Sequence, residues 1–251
     1  MKITNKLILF TGILLCSQSH ILAQESQSKI LKISYTTIPT SEKMVELLKH
    51  QIKDPTTYNS YLQLMSEFKI FYSLYINTTS NKSVYKLDSI KQVEHVKIPG
   101  YIKSVIKDDN DVFFGEEQFL NSNYTFQGNI TELKWSIGIE EKTINGYSCK
   151  KATLINSPDV SVWFTSSIPV SIGPEIYNGL PGLVIQVDSY FANSTATKIA
   201  YDVTYADFDL LMNDELKIFK DKKNLKISEV ILSKQNFTQL MEKQMQQSDD
   251  Q

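Results

Sequence analysis

The stretch EKTINGYSCKKATLI, residues 141–155, decides the fold class. Asn145-Gly146 stands between two strand-like runs, Glu141–Ile144 and Tyr147–Ile155. Asn-Gly is the dipeptide best suited to a two-residue hairpin, because both central residues of that turn need positive φ. The side-chain period beyond it is two. Tyr147 and Cys149 fall on one face, Ser148 and Lys150 on the other. A second turn, Ser157-Pro158-Asp159, leads into a third run, Val160–Thr165. Strands joined by turns this short run antiparallel.

The same pattern continues in both directions. Upstream, strands are expected at Leu31–Thr36, Phe71–Ile76, Ser83–Leu87, Val112–Phe114, Tyr124–Phe126 and Leu133–Ile139. Downstream they are expected at Leu183–Val187 and Thr197–Tyr205. Helical spacing is confined to the two ends. Met44, Leu47, Leu48 and Ile52 share a helical face behind Ser41 as N-cap. Asp54-Pro55 ends that helix and starts another carrying Tyr58, Tyr61, Leu62, Met65 and Phe68. Asn213–Lys220 reads as a short helix. A last helix is expected from Ser233 to about Gln247, with Phe237, Leu240, Met241 and Met245 on one side. Strands outnumber helices and the two do not alternate. The fold class is therefore α+β: a large curved antiparallel β-sheet with helices near the N-terminus and the C-terminus; a half-barrel resembling that of periplasmic lipoprotein carriers is the architecture expected by analogy.

Composition narrows the function classes. The chain has 251 residues, 41% of them apolar and 22% charged, the profile of a globular protein. A net charge of -2 gives no reason to expect nucleic acid as a partner. All the cations are Lys; without Arg the chain lacks the side chain that clamps phosphate or carboxylate in two-pronged fashion. Two Cys exclude a disulfide framework.

Residues 1–23 read as a secretory signal peptide: Lys2 and Lys6, an apolar run from Leu7 to Cys16, then Ala23 as the small residue before cleavage. Cys16 opens a lipoprotein alternative, but Ile13, Leu14 and Leu15 put no small residue beside it. The expectation is an exported protein, periplasmic or secreted after cleavage near Ala23, with residues 24–251 as a single domain. No later apolar run is long enough to span a bilayer.

The chain has none of the common catalytic or nucleotide-binding signatures. His50 and His95 lack a second ligand at helical spacing. Asp108, Asp109 and Asp111 have the composition of a calcium loop but not its Gly and terminal Glu in register, and read as a turn. Glu116-Glu117 and Glu140-Glu141 are adjacent pairs, so in strands they point to opposite faces. Cys149 reads as a buried thiol rather than a nucleophile. No catalytic, cofactor-binding or metal residue is assigned.

One loop stands apart. Ile168-Pro169 and Gly173-Pro174 precede a tight corner, Gly179-Leu180-Pro181-Gly182-Leu183. Pro181 fixes its own φ and pushes Leu180 towards an extended conformation. Gly182 suits a turn with positive φ, and Gly179 allows a second one or a close approach of backbones. The corner either launches a core strand or forms a binding rim.

Gly179-Leu180-Pro181-Gly182-Leu183-Val184 resembles the hallmark of the GLPGLI family, exported proteins of Bacteroidota without an assigned function. Trp135, Ile144–Tyr147, Cys149, Ala152, Trp163–Thr165, Ile168-Pro169, Gly173-Pro174 and Tyr177 fit the same resemblance, in order, over Trp135 to Val187. Val184 stands where the family name has Ile. The resemblance implies no catalytic residue.

The first function expected is a non-enzymatic binding module of the periplasm or envelope, for an apolar ligand or a protein partner; 13 Tyr and 12 Phe could line its site. The alternatives are a structural envelope protein with no ligand, and a hydrolase with an unrecognised carboxylate site. Converging acids with perturbed pKa in a cleft would favour the last.

Overall fold

The computed structural model describes residues 30–249, except 95, 205–207 and 221. The signal-peptide reading, His95 and Tyr205 fall outside the described residues.

A single 12-stranded sheet dominates the chain. Its strands are β1 (Ile30–Ile38), β2 (Lys69–Asn77), β3 (Lys82–Lys91), β4 (Gly100–Lys107), β5 (Val112–Phe119), β6 (Ser122–Asn129), β7 (Trp135–Ile144), β8 (Tyr147–Leu154), β9 (Ser157–Thr165), β10 (Leu183–Ser189), β11 (Ala192–Val203) and β12 (Leu225–Lys226). Helices α1 (Glu42–Gln51) and α2 (Pro55–Glu67) follow β1; α3 (Phe208–Lys220) and α4 (Ile227–Asp249) flank β12. The sheet order is β12-β6-β5-β4-β3-β2-β1-β11-β10-β9-β8-β7. All pairings are antiparallel except β12 with β6. The α+β class, the curved sheet and the terminal placement of the helices are as the sequence indicated.

Local chemistry explains the joints. Asn145 and Gly146 both take positive φ, 50° and 84°, which closes the β7–β8 hairpin. Ser41 caps α1 by accepting the Met44 amide, and Asp54 caps α2 by accepting that of Thr57, with Pro55 in the first turn.

The two faces of the sheet bury different things. Leu31, Ile33 and Tyr35 point to the inner face, which also holds Tyr72, Leu74, Ile76, Val162 and Val187. The 166–182 segment and α4 cover that face with Ile168, Ile172, Tyr177, Leu180, Ile227 and Val230. On the outer face Ile30, Tyr75, Val84 and Ile106 pack against Phe208, Met212 and Phe219 of α3.

Four details differ from the sequence reading. Strand β4 was not legible, because a register shift between Ile102 and Ser104 breaks its period of two. Leu133–Ile139 and Glu141–Ile144 are parts of one strand, β7, carrying an irregularity between Ile137 and Glu141. Ser233 is no N-cap: α4 begins at Ile227, and Ser233 Oγ donates to the Glu229 carbonyl one turn back. The Glu229 carboxylate instead accepts the Lys226 amide at the helix start. Leu240 is exposed rather than inward, and the side chain of Met245 lies outside the described set.

Candidate functional site

The Gly-Leu-Pro-Gly corner is built into the core. Leu180 is 1% exposed and Leu183 fully buried. The Leu183 amide donates to the Ile168 carbonyl, and the Gly179 amide to that of Ser171. Gly179 takes φ 90°. Gly182 is required for a different reason: a Cβ there would meet the Thr165 carbonyl oxygen at 2.1 Å. Tyr35 Oη, from β1, donates to the Val184 carbonyl and ties the corner to the middle of the sheet.

Another residue of the same loop lines a pocket on the inner face. Glu175 sits at φ 54°, left-handed and costly for a non-glycine side chain. The turn that holds it is braced on both sides. The Gly173 amide donates to Asn178 Oδ1, and the Tyr177 amide to the Pro174 carbonyl. The Asn178 carbonyl accepts Trp135 Nε1. Glu175 thereby lines a pocket of about 60 Å³ between the inner face and α4, with Tyr72, Tyr101, Glu117, Phe119, Tyr190, Phe191 and Lys234.

The charges in the pocket are unevenly matched. Lys234 Nζ, from α4, pairs with Glu117 Oε1 of β5 at 2.8 Å. Tyr124 Oη donates to Glu117 Oε2 at 2.8 Å. Both oxygens of Glu117 are thus engaged. Glu175 has no hydrogen-bond or ion-pair partner among the described residues. Burial pushes its carboxyl up to about 7; the Lys234 charge works against that rise and Glu117 adds to it. Burial also works against the Lys234 charge, but Glu117 and Glu175 outweigh it and hold the ammonium above the usual lysine range.

This predicts a pH-dependent stability effect. A folded-state pKa of about 7 against an ordinary 4.5 means the fold binds this proton more tightly than the unfolded chain does. Stability from this group is full below the ordinary value and is lost as pH rises through 7. Glu175→Gln is therefore expected to unfold with the parent below pH 4.5 and to be more stable above pH 7, by about 1–3 kcal/mol. Denaturant melts at three pH values check it; equal stability at pH 8 would contradict it.

Asp188 is a second carboxylate raised by burial, but it is occupied. It accepts the Glu42 amide at the start of α1 and the Asn193 side chain. Cys149 is fully buried, and burial pushes its thiol up. It should resist a thiol reagent at neutral pH until the protein is unfolded; rapid labelling of the native protein would overturn that. No group of three or more His, Cys, Asp or Glu suited to a metal is found among the described residues.

Sequence reasoning missed the three groups that meet in this pocket. In the sequence Glu117 is only half of an adjacent acidic pair. The opposite-face rule held, since Glu116 turns to Lys103 and Lys222, but it did not show what Glu117 faces. Glu175 did leave a signal: it is the only charged residue between Asp159 and Asp188. Lys234 looks like any solvated lysine of an amphipathic helix.

Residues 73–219 match the family model described as N-glycanase peptide, N-terminal domain. Solved structures similar to the chain include two of PNGF-II. One, of PNGF-II in the P21 space group, is 18% identical with a TM-score of 0.43, over 82% of this chain and 34% of that one. The other, of PNGF-II in the C2 space group, is 18% identical with a TM-score of 0.42, over 82% of this chain and 33% of that one. The chain thus spans about a third of the length of these structures. No curated protein matches it.

Proposed function

The chain belongs to the family of the N-glycanase peptide, N-terminal domain, and within that family we propose that it is a non-catalytic binding module, exported to the cell envelope, whose inner-face pocket takes a polar group. The carrying observation is the occupancy of the two pocket carboxylates. Acid–base cleavage by paired carboxylates needs both to be free to exchange protons with substrate. Glu117 has both oxygens committed, to Lys234 and Tyr124, which leaves Glu175 alone. One free carboxylate in a small, preorganised pocket is suited to holding a group in place.

The lining favours a polar group over the apolar ligand that the aromatic content suggested, since two carboxylates, an ammonium and tyrosines meet there. The GLPGLI resemblance covers Trp135–Val187, inside the span of the family match, and we read the two as one domain type. Export rests on the signal-peptide pattern; intact mass of the mature protein should correspond to cleavage after Ala23, and retention of residues 1–23 would contradict it.

Native mass spectrometry of the protein purified from its own envelope tests the binding reading. A hydrophilic small molecule or glycan adduct is expected. A fatty-acyl or lipid adduct would contradict it, and glycan release from an N-glycoprotein by this chain alone would overturn the non-catalytic assignment.

A further inference from the structure

Resting on that binding reading, we propose that the inner-face pocket is a site for an alkylammonium group, held by the Glu175 carboxylate among the rings of Tyr72, Tyr101, Tyr190 and Phe191.

The charge balance gives the sign of the ligand. Lys234 and Glu117 neutralise each other at 2.8 Å, so the pocket carries one uncompensated carboxylate, Glu175. An anionic ligand would meet that charge, and the one ammonium present is already engaged. A cation supplies the missing partner. The lining points the same way, because aromatic faces carry negative potential and attract organic cations. Size limits the ligand to a head group: about 60 Å³ takes a protonated amine and little more. The site is also preorganised. The left-handed φ of Glu175 and the brace from Asn178 fix the backbone that presents the carboxylate before any ligand arrives.

The pH dependence follows from the groups that face Glu175. These are Lys234 from α4, Glu117 from β5, Tyr72 from β2, Tyr85 from β3 and Tyr177 from its own loop. The tyrosines are raised by burial and stay neutral, and the Lys234 ammonium is held above the usual lysine range. Glu175 is the group that changes charge close to pH 7. Below about pH 7 it becomes a neutral acid and the site loses its attraction for a cation.

The test uses three probes on the folded protein: butylammonium chloride, 1-butanol and glucose, followed through the ring resonances of Tyr101 and Phe191. Butylammonium should bind at pH 8, bind about tenfold more weakly at pH 6, and fail to bind Glu175→Gln. Butanol and glucose should be much weaker. Tyr101→Leu, which keeps the charge and removes a ring, should weaken butylammonium without changing its pH profile. Equal binding of butanol or glucose, undiminished in Glu175→Gln, would overturn the ammonium proposal and leave the binding module standing. Silence from all three probes would also overturn it. The binding reading would then fall only if the native adduct experiment failed as well.

Discussion

Replacing Lys234 with alanine is expected to destabilise the protein by about 3–5 kcal/mol, the range for breaking a buried ion pair from one side. The Lys234 side chain is 14% exposed and that of Glu117 is 4% exposed. Removing the ammonium leaves Glu117 charged in the interior, with only the Tyr124 hydroxyl to answer it. It also removes the cation that restrains Glu175, whose pKa should climb further. The loss comes from stranded charge rather than from lost packing, which a second variant separates. Lys234→Met with Glu117→Gln keeps the volume and removes both charges, and should recover most of the stability. Urea unfolding at pH 7 checks both. A loss below 1 kcal/mol for Lys234→Ala would mean that Glu117 finds water or another partner.

The second large effect is expected at the corner. Gly182→Ala should cost about 3 kcal/mol. A methyl group at this position would lie 2.1 Å from the Thr165 oxygen and 2.6 Å from its carbonyl carbon. Thr165 is the register partner of Leu183, so neither strand can retreat without losing the β9–β10 pairing. Leu180→Ala and Leu183→Ala should each cost about 2–5 kcal/mol, because both side chains are buried. Gly146→Ala is the control. It has positive φ but open space around the added methyl, so about 1 kcal/mol of backbone strain is all it should show. Thermal melts of the four variants give the ranking. If Gly182→Ala melted like Gly146→Ala, the close approach would not be what requires glycine there.

These two sites mark how far the sequence could be read. The hairpin was legible because Asn145-Gly146 meets a local dihedral demand that few other residue pairs satisfy. The same holds for the Ser41 and Asp54 caps, whose partners lie three residues away. The corner was legible as a corner from its Pro and Gly, but not the cause of the Gly182 requirement, since Thr165 approaches from another strand. Strand β4 was hidden by its own irregularity. The pocket depends on three segments far apart in the chain: β5 brings Glu117, the loop brings Glu175 and α4 brings Lys234. Each looks ordinary alone, and only the folding of α4 over the inner face makes them one site. Glu175, a lone charge in an apolar loop, was the nearest thing to a local sign.

Glu175, a half-buried carboxylate without a hydrogen-bond or ion-pair partner among the described residues, is the working group of that pocket. The most direct test is a carbon-13 titration of the Glu175 carboxyl in the folded protein, with and without butylammonium. A midpoint of about 7 is expected in the free protein and a lower one with the amine bound. A midpoint in the ordinary glutamate range, unmoved by the amine, would contradict it.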